Sequence, residues 1–207
     1  MNTTIEKPYL PAAGRDRALP LYDLLTKLSG INRARKSLLE DANLDLASRL
    51  LDVGFGTGTL TLATRQIYPQ LEAFGIDPDP KVLMRATRKM NRASVDVTFA
   101  RGYSEELPYR DNSFDRVLSS FMFHHVPDEA KPQMLREAFR VLRAGGSFHM
   151  LDVARIGHEV RNWTGKHHGM NRHMRQNSDS RILEMLQNAG FSDARVSHSD
   201  KMLLGFV

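Results

Sequence analysis

The apolar positions change rhythm near residue 47. Up to about Leu46 they recur at helical spacing: Leu21, Leu24, Leu25 and Leu28, then Ile31, then Leu38 and Leu39. Pro20 suits a first helical turn, and Gly30 ends that segment. From Arg49 onward, short apolar runs alternate with amphipathic ones. RLLDV (49–53), EAFGID (72–77), VDVTFA (95–100), FDRVLSS (114–120) and SFHMLDV (147–153) predict strands. Between them, TLTLATRQIY stopped by Pro69, PKVLMRATRKMN, and PQMLREAFRVLR closed by Gly145-Gly146 predict helices. SRILEMLQNAG predicts a last helix, and ARVSHS and KMLLGFV predict two strands of a C-terminal hairpin.

Strands alternating with helices at this spacing indicate parallel pairing through crossovers. The expected fold class is α/β: a doubly wound, mostly parallel, seven-stranded Rossmann-like sheet with a C-terminal antiparallel hairpin and N-terminal lid helices. Residues 1–46 are expected to form a helical lid and 47–207 a ligand-binding domain with a basic insert at about 153–181. The chain ends in LLGFV, inside its last predicted strand.

Composition narrows the function classes. The length of 207 residues fits one domain with a substantial core. The absence of cysteine excludes disulfides, thiolate nucleophiles and cysteine-ligated zinc, and leans towards a cytoplasmic setting. No run of about 18 apolar residues appears, and the first residues lack the apolar stretch of a signal peptide. The net charge of +5 is concentrated: between Val153 and Arg181, six Lys/Arg face Glu159 and Asp179, with His158, His167, His168 and His173 added. Such a patch is either a contact for nucleic acid or anionic lipid, or a solvated face.

In open parallel sheets, ligands bind at the carboxyl ends of the strands, where the strand order reverses. After the first strand comes GFGTG, with Gly54, Gly56 and Gly58 at alternating positions. Glycines permit a sharp turn with positive φ, and the helix that follows offers free N–H groups. No lysine follows Gly58, which removes a Walker-type phosphate loop, and Thr59 stands where a dinucleotide fingerprint needs its third glycine. Asp77 ends the second strand, 19 residues after Gly58, the interval at which a carboxylate reaches a nucleoside's ribose hydroxyls. The alternative is that Asp77 or Asp79 caps the helix beginning near Pro80.

The segments DVGFGTG, GID, LPYRDNSFDRVLSS leading to HHV, and REAFRVLRAGG together resemble class I S-adenosyl-L-methionine-dependent methyltransferases. Among these the chain is most similar to the small-molecule branch that includes ubiquinone/menaquinone-biosynthesis C-methyltransferases, LYDLL at Leu21–Leu25 included. The resemblance implies that Asp52, Phe55 and the backbone of Gly54, Gly56 and Gly58 hold the methionine end of S-adenosyl-L-methionine. It assigns the ribose to Asp77, the adenine side to Pro78, Tyr103 and Ser104, and further cofactor contacts to Ser119 and Tyr22. S-adenosyl-L-homocysteine would be the product. After its third strand the family often carries GDA; here Gly102-Tyr103-Ser104 lacks the acid, leaving Ser104 with backbone groups, or Tyr103 packed on the purine, to replace it. Ala144 stands where a proline commonly precedes the two glycines.

A general base is needed only when the methyl acceptor must lose a proton. His124 and His125, just past the fourth strand, are the candidates for that catalytic role. Alternatively one packs under the sheet end and the other opens the next helix near Pro127. Phe121, Met122 and Phe123 suit either a hydrophobic acceptor pocket or the core. His167, His168 and His173 lack ligand spacing, and no metal site is expected. The expected function is methyl transfer to a small, aromatic or lipophilic acceptor. The alternatives are a nicotinamide-dependent oxidoreductase, and a methyltransferase-like nucleic-acid-binding or RNA-modifying protein that uses the basic insert.

Overall fold

The computed structural model describes residues 31–153, 178–199 and 203–206. Tyr22 and almost all of the basic insert lie outside them. Helix α1 (Ile31–Ala42) and a short 3-10 turn (Leu44–Leu46) lead into β1 (Arg49–Val53). Then follow α2 (Thr59–Ile67), β2 (Glu72–Asp77), α3 (Pro80–Ala93), β3 (Thr98–Arg101) and β4 (Phe114–Ser120). A 3-10 turn (Phe123–His125), α4 (Lys131–Val141), β5 (Leu142–Val153), α5 (Asp179–Ala189), β6 (Val196–Ser199) and β7 (Leu203–Phe206) complete the order.

The sheet runs β3-β2-β1-β4-β5-β7-β6. Its first five strands are mutually parallel, whereas β7 lies antiparallel to β5 and to β6. The fold is thus the expected α/β Rossmann-like one with a mostly parallel sheet. Neighbouring residues along its central strands serve opposite faces. Leu51, Val117 and Met150 join Met134, Leu135 and Ala138 of α4 and Ile182 and Leu186 of α5 in one cluster. Leu50, Leu118 and Leu151 join Leu38, Leu39 and Ala42 of α1 and Leu60 of α2 in another. Burial on both faces is why these strands are continuously apolar rather than alternating. Leu38 and Leu39, in the stretch assigned to a lid, pack in the core of the sheet.

Two predicted boundaries are corrected. The helix PQMLREAFRVLR does not run to the glycine pair: α4 stops at Val141, and Leu142 already has extended dihedrals (φ −75°, ψ 138°). Gly145 and Gly146 lie inside β5, where the pairing jumps from Phe114–Leu142 to Arg116–Ser147. A Cβ on Gly146 would stand 3.0 Å from the Asp115 carbonyl oxygen, so that bulge requires glycine. Asp115 braces the same end of the sheet, accepting from the amides of Ser48 and Arg49 at 2.9 and 2.8 Å and from Arg143 at 2.9 Å. Burial works to raise its pKa, and these donors outweigh it, holding the carboxyl below its usual value. β3 is also shorter than VDVTFA, since the ladder to β2 begins only at Thr98.

Candidate functional site

β1 is central, with β2 and β3 on one side and β4 and β5 on the other, so the strand order reverses between β1 and β4. Everything singled out in the sequence after β1, β2 and β4 converges at that edge. The loop after β1 turns through three left-handed residues: Gly54 at φ 73°, Gly56 at 56° and Gly58 at 71°.

The three glycines are bare for different reasons. A Cβ on Gly54 would collide with the Met122 side chain, and one on Gly58 would sit 3.0 Å from Met90 Cε and 3.1 Å from Ala86 Cβ. Those two serve internal packing. Among the described residues, nothing lies within 4 Å of a Cβ placed on Gly56. Of the three, Gly56 alone has open space where a side chain would stand, among the described residues.

Asp77 ties the loop together. Its Oδ2 accepts from the Gly56 amide at 3.1 Å and its Oδ1 from the Asp79 amide at 3.0 Å. Helix capping falls to Asp79, whose side chain accepts from the Lys81 amide at 2.8 Å, so Asp77 is not the cap. Asp52, 1% exposed, accepts from the Thr61 hydroxyl at 2.6 Å. Burial raises both carboxyls to about 6, against the hydrogen bonds that pull them down. The Asp52 carboxyl also adds repulsion to the rise at Asp77, so the pair gains by receiving a cation or a diol donor.

The other predicted cofactor residues are placed as follows. The Phe55 ring is buried on Phe99, centroids 4.4 Å apart, over Gly75, which leaves only its backbone to the loop. The Pro78 carbonyl accepts from Arg101 at 3.1 Å. Tyr103 and Ser104 are half-buried in a turn closed by the Glu106 amide on the Tyr103 carbonyl. The Ser104 hydroxyl reaches Glu105 Oε2 at 3.5 Å, so a carboxylate does stand in this turn, one residue past Ser104. Ser119 is fully buried, and its Oγ has no hydrogen-bond partner among the described residues. An open glycine backbone, a carboxylate at the β2 end and an unpaired hydroxyl at the β4 end suit a nucleoside with a charged amino-acid tail.

Past β4 the chain kinks at Phe121, a non-glycine residue at φ 57°, whose amide donates to the Leu151 carbonyl at 2.8 Å. Phe121, Met122 and Phe123 do not form one wall. Phe123 is fully buried in the core, Met122 packs on Gly54, and Phe121 borders the α1 cluster with Arg35 5.8 Å from its centroid. His124 Nδ1 lies 2.5 Å from Asp152 Oδ1, and its amide donates to Asp152 Oδ2 at 2.9 Å. The His125 ring lies 4.0 Å from that of His124, centroid to centroid. Neither histidine is free to open α4, which starts at Lys131. Asp152, near the end of β5, escaped the sequence reading; the signal was an acidic residue at a strand end, the same signal that marked Asp52 and Asp77. Among the described residues no His/Asp/Glu group is arranged to hold a metal ion, and no helix is long and apolar enough to cross a membrane.

Comparison with known proteins agrees with this geometry. Residues 50–146 match the family described as methyltransferase domain, a span that begins in β1 and ends at the β5 bulge. The chain is 35% identical over 136 residues to a demethylmenaquinone methyltransferase of Deinococcus radiodurans, covering 64% of this chain and 56% of that protein. It is 37% identical over 141 residues to a ubiquinone/menaquinone biosynthesis C-methyltransferase of a Geobacter species, covering 65% and 59%. The alignment thus spans less than two thirds of either relative's length. A solved S-adenosyl-methionine-dependent methyltransferase of Aquifex aeolicus superposes with a TM-score of 0.67 at 20% identity, over 83% of this chain and 87% of that one, a likeness of fold. With a methyltransferase-domain match laid on strands β1 to β5 and the glycine loop and acidic strand ends at the sheet's reversal point, the chain is similar to S-adenosyl-L-methionine-dependent methyltransferases.

Proposed function

We propose that the chain binds S-adenosyl-L-methionine across the ends of β1, β2 and β4 and transfers its methyl group to a small acceptor of the hydroquinone class. The observation that carries the reading is the Gly56–Asp77 bond beside the only open glycine of the loop. When bound, the cofactor supplies an electrophilic methyl on a sulfonium. In this reading Gly56 offers its backbone to the methionine end, with Asp52 nearby for the ammonium. Asp77 accepts from the ribose hydroxyls, and Ser104, Glu105 and Tyr103 border the adenine. Ser119 lies beneath the sulfur-bearing middle.

The protein's contribution is alignment. Holding donor and nucleophile in line is worth on the order of 7–11 kcal/mol. The hydroquinone acceptor is supported by the names of the similar proteins, both acting in quinone biosynthesis or on a demethylmenaquinone. Calorimetric titration with S-adenosyl-L-homocysteine against NAD tests the cofactor. Transfer of labelled methyl to a 1,4-naphthohydroquinone bearing a short prenyl chain tests the acceptor. Binding of NAD without S-adenosyl-L-homocysteine would refute the reading.

A further inference from the structure

His124 lies in the 3-10 turn after β4 and Asp152 on the neighbouring β5, with Ser120 opposite Leu151 in the ladder and the two side chains meeting just beyond it. Asp152 is 2% exposed and spends both oxygens on one residue: Oδ2 on the His124 amide, Oδ1 on its ring Nδ1. One oxygen would suffice to tie the turn down. Using the second on the ring fixes the imidazole's rotation. A carboxylate only accepts, so in the neutral ring the contact selects the tautomer with its proton on Nδ1. The lone pair is then left on Nε2. Burying such a pair costs desolvation that packing alone does not recover. The turn that carries it is closed by the His125 amide on the Met122 carbonyl at 2.8 Å, and Met122 is the residue seated on Gly54. The dyad is therefore built two residues from the contact with the glycine loop.

We propose that Asp152 is a positioning residue that presents His124 Nε2 as the base for the acceptor's hydroxyl proton. This rests on the methyl-transfer reading above. The acceptor's O–H bond breaks and its proton moves to Nε2. The electron pair left behind is delocalised onto the ring carbon of a hydroquinone, where the new bond to the methyl carbon forms. The S–CH₃ bond breaks with its pair retained on sulfur as a neutral thioether, and the methylated ring carbon loses its hydrogen to water as a proton. The imidazolium formed at His124 faces the Asp152 carboxylate until Nε2 returns its proton to solvent. The acceptor class that follows is an ionisable hydroxyl compound, a phenol or hydroquinone, rather than an amine whose lone pair is already free.

Nitrogen-15 NMR of the histidine rings in the full chain, without cofactor, tests the arrangement independently of turnover, with His124→Gln to assign the signal. The expected result is the Nδ1–H tautomer for His124 and loss of that preference in Asp152→Asn. With S-adenosyl-L-methionine and the prenylated naphthohydroquinone, His124→Gln is expected to lower kcat by about 10²–10⁴-fold, and Asp152→Asn by roughly tenfold or more. Affinity for S-adenosyl-L-homocysteine should stay unchanged in both. A wild-type chain with His124 protonated on Nε2 overturns the proposal, as does an Asp152→Asn chain with unchanged kcat. The wild-type spectrum decides the matter even if Asp152→Asn does not fold. Failure of the wild type to bind S-adenosyl-L-homocysteine would instead remove the underlying methyl-transfer reading.

Discussion

The Asp77 carboxylate accepts from the Gly56 amide at 3.1 Å, joining the end of β2 to the loop after β1. The residue that the sequence places at ribose distance therefore also holds the glycine loop in shape. Asp77→Asn keeps an acceptor for that amide but loses the charge and one acceptor for a diol. Affinity for S-adenosyl-L-homocysteine is expected to fall by about 10- to 100-fold, the worth of a hydrogen bond to a charged group. Calorimetric titration checks this, and unchanged affinity would remove Asp77 from the site.

Asp52 carries a stability signature. Its folded pKa of about 6 stands above the ordinary 3.8, so between those values the folded chain holds a proton that the unfolded chain has released. That contribution is complete below the ordinary value and is lost as pH rises through 6. Above it the fold tolerates a buried charge. Asp52→Asn, which still accepts from Thr61, is expected to melt higher than the wild type at pH 7.5, by on the order of 1–3 kcal/mol. Near pH 4 the gap should close. Thermal melts at the two pH values suffice, and an equal gap at both would contradict the assignment.

The glycines separate by a double-mutant cycle. Gly54→Ala forces a methyl into Met122, whereas Gly56→Ala meets only the cost of positive φ, about 1–2 kcal/mol. The first is expected to lower thermal stability more, and Met122→Ala should recover part of that loss without helping Gly56→Ala. Gly56→Ala should show the larger loss of cofactor affinity for its stability cost. Equal behaviour of the two alanine variants would contradict the division.

The borders of β1, β2 and β4 were legible because each is a short apolar run, buried on two faces and bounded by turn residues. The β5 boundary was not. A glycine pair after a helical run reads as a helix stop, yet Gly146 answers to the Asp115 carbonyl, a contact 31 residues away in sequence. The site shows the same division. GFGTG and Asp77 announce themselves locally, but the motif gives one reason for its glycines where packing supplies two. His124 was visible as a titratable residue at a strand end. Asp152, 28 residues later, becomes its partner only once β4 and β5 lie side by side.

Phe121 carries a wider consequence. An aromatic residue at φ 57° costs on the order of 1–3 kcal/mol, and glycine would relieve it. The chain thus holds strain at the residue that aims the turn bearing Met122 and His124. A glycine placed there to raise the melting temperature would relieve the dihedral at the expense of the ring's packing on the α1 cluster. It would also draw on the rigidity with which the sheet delivers its chemistry, a trade between durability and turnover located at a single dihedral.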